Sequence, residues 1–172
     1  LAAEVIWPYV EGSSFTRDEL DGLVAEAYAT FNHPDVCPVV EVEPGLWVVE
    51  LFHGPTLAFK DVALQLVGRL FDRELARRGE RATIVVATSG DTGSAAIAAC
   101  VGRPSLDIVV LHPGGRVSDV QRRQMTTVDA PNVHNVAIEG TFDDCQDLVK
   151  ALFADAALRD RIGLSAMNSI NW

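Results

Sequence analysis

Two stretches of the chain repeat apolar residues at helical spacing. In residues 20–31 and again in residues 63–75, aliphatic and aromatic positions recur three or four residues apart. Thr16 and Glu19 precede the first stretch at the spacing of a capping box, and Gly79 follows the second as a residue suited to end a helix. The pattern predicts two amphipathic helices, the first of which opens the chain.

Other stretches have the spacing of strands. Residues 39–51 predict two short strands broken at Pro44-Gly45. Further along, the strands "ATIVVA", "LDIVVLH" and "VHNVAIE" are each followed by a turn and a helical pattern. Their near-continuous valine and isoleucine content is typical of strands that helices cover on both faces. We therefore predict an α/β fold with a doubly wound, mostly parallel sheet in residues 50–172, and a separate appendage in residues 1–49.

The composition narrows the classes of partner. The 172 residues carry a formal net charge of −10. Because nucleic acids and anionic membranes select basic surfaces, we expect neither as a partner. The three cysteines have no C-x-x-C spacing, which indicates neither a disulfide framework nor a metal site. This use of cysteine fits a reducing cytosol, so a cytoplasmic protein is expected. No apolar run approaches the ~18 residues of a membrane span, so a membrane protein is not expected.

The segment "ATSGDTGSAA", residues 87–96, leads from a buried strand into a helix. Gly90 and Gly93 let the backbone approach a ligand closely, and helix N-terminal amides bind carboxylates and phosphates. The spacing matches neither the phosphate-binding P-loop nor the dinucleotide motif G-x-G-x-x-G. The segment therefore predicts an anion site that does not belong to a nucleotide-binding protein of those classes.

Lys60 is the most unusual charged residue. It follows the turn-forming pair Gly54-Pro55, at the expected start of the second helix. A cation there is disfavoured by about 0.3–1 kcal/mol, because the helix N-terminus carries the positive end of the macrodipole. The same field and partial burial favour the neutral amine that a Schiff base requires. The competing interpretation is an ammonium that binds a phosphate group. A lysine that reaches solvent beside Asp61 is the structural alternative.

Five segments in chain order resemble the threonine synthases, which are pyridoxal-phosphate enzymes of fold type II. They are "ELFHGPTLAFKD", "ATSGDTGSAA", "LHPGGRVSDVQRRQMTTV", "GTFDDCQDLVKALF" and "SAMNSINW". The resemblance runs from Glu50 to Trp172 and is looser over residues 1–49. It implies that Lys60 holds pyridoxal 5'-phosphate as a Schiff base. It also implies a reaction in which O-phospho-L-homoserine and water give L-threonine and phosphate.

The resemblance assigns roles to the loop after the first buried strand. Thr88, Ser89, Gly90 and Thr92 are expected to bind the substrate carboxylate through backbone amides and a hydroxyl. Related enzymes often carry Asn where this chain has Asp91, and an ionised Asp cannot donate to the phenolic oxygen of the cofactor. Asp91 therefore either contacts the cofactor in its protonated form or caps the following helix.

Three candidates lie outside that loop. His53 is a candidate for positioning the substrate phosphate or relaying a proton, with a backbone-satisfied loop histidine as the alternative. Arg116 offers a planar fork of donors to the substrate phosphate, with a solvated loop arginine as the alternative. Asn168 is expected to reach the cofactor cleft, with ordinary turn chemistry as the alternative.

The resemblance places two parts of the family's site beyond Trp172: the loop for the cofactor phosphate and the partner of the pyridine nitrogen. We therefore expect a segment of a longer polypeptide that is inactive alone. Two interpretations compete with the synthase. One is another fold type II lyase, such as an O-phosphohomoserine phospho-lyase or a hydroxy-amino-acid dehydratase. The other is a non-catalytic α/β module, against which a retained Lys60 beside an intact Ser-Gly-Asp-Thr-Gly loop argues.

Overall fold

The computed structural model describes residues 1–167 as seven helices and six strands. The helices are α1 (Ala2–Val10), α2 (Arg17–Tyr28), α3 (Asp61–Arg78), α4 (Asp91–Cys100), α5 (Asp119–Thr126), α6 (Phe142–Ala154) and α7 (Ala156–Ile162). The strands are β1 (Val39–Glu43), β2 (Leu46–Val49), β3 (Ala82–Ala87), β4 (Leu106–Pro113), β5 (Val133–Ile138) and β6 (Leu164–Ser165).

Strands β3 to β6 form one sheet in the order β5-β4-β3-β6, and every pairing in it is parallel. Side chains that alternate along β3 enter two different cores. Ile84 and Val86 pack with α3, α4 and α5, whereas Val85 packs with α6 and α7 on the opposite face. Helices therefore cover both faces, which confirms the predicted doubly wound, parallel α/β fold.

The N-terminal helices pack on α3. Thr16 and Glu19 form both hydrogen bonds of the predicted capping box at the start of α2. Leu23 and Ala27 of α2 are buried against Leu66 of α3. The prediction that this helix opens the chain is wrong, because α1 precedes it. The sequence pattern of residues 2–10 did not predict α1, because Pro8 lies inside this helix and no side chain caps its N-terminus.

The hairpin of β1 and β2 is antiparallel, as predicted, with a register shift between Glu41 and Glu43. Its side chains are exposed on both faces. The largest of these side chains, Trp47, is 58% exposed. The hairpin is a two-stranded ribbon outside the four-stranded sheet, and it leads directly into the segment that carries Lys60.

Helix α3 is buried on two sides, which fixes its N-terminus relative to the sheet. Leu64 and Leu75 join the core under the sheet, while Leu66 joins the core formed with α2. Gly68 lies so close to α4 that a Cβ atom built there would be 2.5 Å from the Ala99 carbonyl oxygen. Only glycine allows this backbone approach, so α3 and α4 are held at a short separation.

Candidate active site

The loop after β3 lies where the connections of the sheet change direction. From β3 the chain proceeds through β4 to β5 on one side, and β6 then pairs with β3 on the other side. Ligands of open α/β sheets bind at such a switch point, outside the carboxyl ends of the strands. We call residues 88–93 the anion loop, and this topology makes it the expected centre of a site.

Lys60 is the residue that caps the N-terminus of α3, one position earlier than the first-turn placement expected from the sequence. Its side chain is 16% exposed, and Nζ lies 3.8 Å from Oδ2 of Asp91 in the anion loop. Nζ also lies 4.4 Å from the ring centroid of Phe59. The amine of Lys60 is therefore shielded and directed to the edge of the sheet where the anion loop begins α4.

The chain contains one other lysine, Lys150 on α6. Its side chain is 72% exposed, and its ammonium donates a 2.8 Å hydrogen bond to Asp147. This hydrogen bond raises the pKa of Lys150, which favours the charged form. Lys60 is thus the less exposed of the two lysines, and it is the one that lies beside the anion loop.

Asp61 organises the lysine loop, which we define as residues 54–60. The carboxylate is fully buried, and it accepts hydrogen bonds of 2.8 Å from both the amide and the hydroxyl of Thr56. A Cβ atom at Gly54 would be 2.5 Å from this carboxylate. Leu57 has a φ of +64°, an unfavourable conformation for a branched side chain that the surrounding bonds maintain.

Burial raises the pKa of Asp61, and the hydrogen bonds from Thr56 offset part of that rise. Sequence reasoning considered Asp61 only as a surface neighbour of Lys60. The structure instead places it beneath the loop, where it shapes the backbone that presents the lysine.

Thr88 organises the anion loop from inside. Its side chain is 2% exposed, and its hydroxyl accepts 2.9 Å hydrogen bonds from the amides of Gly90 and Gly93. Two of the predicted ligand contacts are therefore already engaged within the loop, namely the Thr88 hydroxyl and the Gly90 amide. Among residues 1–167, the amides of Ser89 and Thr92 have no hydrogen-bond acceptor, and they remain available to an anion.

Asp91 does not cap α4, so that interpretation is wrong. The capping position is Gly90, which has no side chain, and the first-turn amide of Gly93 is bound by the Thr88 hydroxyl instead. Asp91 is the first helical residue, and its carboxylate contacts side chains of other elements. One carboxylate oxygen accepts a hydrogen bond from Gln121, and the other faces Lys60.

The other predicted residues have different partners among the described residues. Both ring nitrogens of His53 are engaged, with Oδ1 of Asn32 at 2.8 Å and Oε2 of Glu50 at 2.7 Å. These partners are side chains, not the backbone groups of the alternative interpretation. Arg116 is exposed in the loop after β4, near Asp144 at the start of α6. Hydrogen bonds from Thr141 lower the pKa of Asp144, and Arg116 adds to this effect. Asn168 lies outside the described residues.

Two residues of α5 that sequence reasoning missed reach the two loops. Gln121 contacts Asp91, and Gln124 donates a 3.1 Å hydrogen bond to the Thr56 carbonyl. The only trace in the sequence is their separation of three positions, which puts both side chains on one side of a helix.

The residues present fit a cofactor that is held through an amine and a substrate that carries an anionic group. Lys60 supplies a shielded primary amine, and the start of α4 supplies amides beside it. No group of three or more His, Cys, Asp or Glu side chains within residues 1–167 is arranged to hold a metal ion. No helix in the same part of the chain is long and apolar enough to cross a membrane.

Comparison with known proteins identifies the class to which this fold and site belong. The family model of pyridoxal-phosphate dependent enzymes matches residues 37–169, and the chain belongs to that family. The match includes Lys60 and the whole anion loop.

Individual relatives narrow the resemblance. Threonine synthase from Pseudomonas aeruginosa is 55% identical over 172 residues, which is the whole chain but 36% of that protein. The Schizosaccharomyces pombe threonine synthase is 48% identical, with 35% of its length covered. The crystal structure of pyridoxal-phosphate-bound threonine synthase from Brucella melitensis superposes with a TM-score of 0.94 at 56% identity. It covers 99% of this chain and 37% of that one. The chain thus spans little more than a third of the length of these relatives.

Proposed function

We propose that the protein carrying this chain is a threonine synthase, which converts O-phospho-L-homoserine and water into L-threonine and phosphate. The observation that carries the proposal is the placement of Lys60, shielded from solvent and 3.8 Å from Asp91 at the switch point of the sheet. The proposal is supported by the name shared by close relatives that align with the entire chain. A cytoplasmic location suits a biosynthetic enzyme of this kind.

In this proposal Lys60 holds pyridoxal phosphate and later moves protons at the substrate. The cofactor, when bound, supplies an electron sink that stabilises negative charge on the carbon atoms beside the amino group. The Lys60 amine removes the proton from Cα and passes it to the phosphate group. It next removes a proton from Cβ as phosphate leaves from Cγ, and it returns that proton to Cγ. When water adds at Cβ, the amine takes a proton from the water and delivers it to Cα. One lysine serves several steps because it gives up each proton before it takes the next.

The anion loop binds the substrate carboxylate in this proposal. The amides of Ser89 and Thr92 lie at the N-terminus of α4, where the helix field favours a negative charge. Thr88 contributes from beneath, since its hydroxyl fixes the backbone that presents those amides. His53 and Arg116 remain predicted contacts of the substrate phosphate, and Asn168 a predicted contact of the cofactor.

The experiment compares two lysine variants of the longer protein. Lys60→Ala should abolish both the formation of threonine from O-phospho-L-homoserine and the labelling of this segment by borohydride with pyridoxal phosphate. Lys150→Ala is the matched control and should retain both, because Lys150 is exposed on the opposite face of the sheet. Label on Lys150 in the parent protein, or threonine formation by Lys60→Ala, would contradict the proposal.

The product distinguishes the synthase from the competing lyases. Proton NMR of the reaction mixture should show threonine in step with inorganic phosphate. A 2-oxo acid with ammonia in its place would identify a lyase that uses the same lysine. Failure of the full protein to bind pyridoxal phosphate would instead favour a non-catalytic module.

A further inference from the structure

Helix α5 contacts both loops of the candidate site. Gln121 donates to Oδ1 of Asp91 in the anion loop, and Gln124 donates to the Thr56 carbonyl in the lysine loop at 3.1 Å. These contacts join residues 30 and 68 positions apart in the sequence. Because both glutamines belong to one helix, the position of α5 constrains the two loops together.

Three features fix the amide of Gln121 in this arrangement. Its Oε1 accepts a 2.9 Å hydrogen bond from the hydroxyl of Ser118, so its Nε2 is the donor directed to Asp91. Ser118 is the N-cap residue of α5, and its hydroxyl also accepts a hydrogen bond from the backbone N–H of Gln121. Finally, a Cβ atom at Gly90 would overlap Cδ of Gln121, so glycine provides the space for this side chain.

The Asp91 carboxylate needs such a partner to stay in place. It is 54% exposed, and an ion pair as exposed as this contributes at most about 1 kcal/mol and does not hold a side chain in one rotamer. A hydrogen bond from a neutral amide to a carboxylate is directional, and it leaves the second oxygen free. That second oxygen is the one that faces Nζ of Lys60.

We propose that Gln121 is a positioning residue that holds Asp91 against the amine of Lys60, so that α5 sets the place of the lysine relative to the anion loop. This role rests on the proposed function, because it concerns the same lysine and the same substrate amides. It also gives Asp91 a role in a loop where related enzymes often carry Asn: Asp91 acts as an oriented acceptor, and Gln121 supplies the donor.

The first test replaces the donor. Gln121→Glu preserves the shape of the side chain but brings a second carboxylate to Asp91. We expect trapping of pyridoxal phosphate on Lys60 by borohydride to fall about tenfold, the lower end for loss of a hydrogen bond to a charged group. Gln146→Glu makes the same charge change on the exposed surface of α6 and should leave trapping unchanged. Equal trapping by both variants would overturn the proposal.

The second test restores the pair in reverse. Gln121→Glu combined with Asp91→Asn again places one amide opposite one carboxylate, and trapping should recover to within about threefold of the parent, since coupled neighbours are non-additive. Gln121→Met, which removes the donor without adding charge, should lower trapping while the urea midpoint of unfolding stays near that of the parent. If the double variant traps no more pyridoxal phosphate than Gln121→Glu does, the pairing of Gln121 with Asp91 is refuted.

Trapping also separates this inference from the proposed function. If the parent protein traps pyridoxal phosphate on Lys60 but forms no threonine, the proposed reaction is wrong, and the comparison of Gln121 variants still decides the positioning role. If the parent traps none on Lys60, both are overturned.

Discussion

Replacing Thr88 with valine should destabilise the protein although the two side chains have nearly the same shape. The Thr88 hydroxyl is the acceptor for the amides of Gly90 and Gly93, both at 2.9 Å, in a residue that is 2% exposed. A buried donor left without an acceptor costs about 1–3 kcal/mol, so losing one oxygen leaves two such donors. Allowing for some relaxation, Thr88→Val should lower the free energy of unfolding by about 2–4 kcal/mol.

Urea unfolding followed by circular dichroism measures this effect, with Thr88→Ser as the matched control. Serine keeps the oxygen and loses one methyl group, which costs about 1 kcal/mol. With a urea dependence of about 2 kcal/mol per molar, the midpoint of Thr88→Val should fall by about 1–2 M. If Thr88→Ser is the less stable variant, or if Thr88→Val unfolds with the parent, the hydroxyl does not organise the anion loop.

Two further predictions concern stability. Asp61 has a raised pKa in the folded protein, so the folded state binds its proton more readily than the unfolded chain. The stability of the parent relative to Asp61→Asn should therefore be greatest below the ordinary carboxyl pKa of about 3.9 and fall as the pH rises through the raised value. Urea unfolding of both proteins across this pH range measures how the difference in their unfolding free energies changes with pH. A difference that rises with pH would contradict a raised pKa for Asp61. Gly68→Ala should cost about 1–3 kcal/mol by pressing on the Ala99 carbonyl, whereas Gly22→Ala on α2 meets no atom within 4 Å and should stabilise by about 0.4–1 kcal/mol. Thermal melts of the two variants measure the change in melting temperature, and equal changes would contradict the close packing of α3 on α4 at Gly68.

Three of the four strands of the sheet could be predicted from sequence, because burial leaves a local mark, whereas the two-residue strand β6 was not predicted. Strands β3 and β4 lie between two helical layers, and most of their residues are apolar. Helix α2 carried its own signal in the capping box of Thr16 and Glu19, which forms as expected. In each case the information lies within a few neighbouring residues.

Helix α1 could not be predicted in the same way, because its stability comes from contacts made later in the fold. Ile6 packs into the cluster around Leu23 and Leu66, and the Trp7 ring lies 5.9 Å from the guanidinium of Arg17. Without those contacts a short helix that contains Pro8 has little tendency to form.

The role of Asp91 depended on a boundary that sequence patterns locate only to within a residue or two. If α4 began one residue later, Asp91 would be its capping residue. The helix begins at Asp91 itself, and the carboxylate is turned outward to Gln121 and Lys60. The residue preferences in the sequence allow two roles for Asp91, a helix cap and a contact in the site. Only its contact with Gln121 on α5 decides between them.

The packing of α3 on α4 connects stability to the chemistry of the site. Lys60 lies eight residues before Gly68 on the same helix, a distance of about 12 Å along its axis. If a side chain at Gly68 pushed α3 away from Ala99 by a tilt of about 10°, Lys60 would move by about 2 Å, more than half of its 3.8 Å separation from Asp91. Gln124 opposes such a tilt, because it holds the Thr56 carbonyl of the lysine loop to α5. The distance between the amine and the anion loop is therefore set by two contacts that include neither Lys60 nor the anion loop, and a variant at either contact should change trapping on Lys60 before it unfolds the protein.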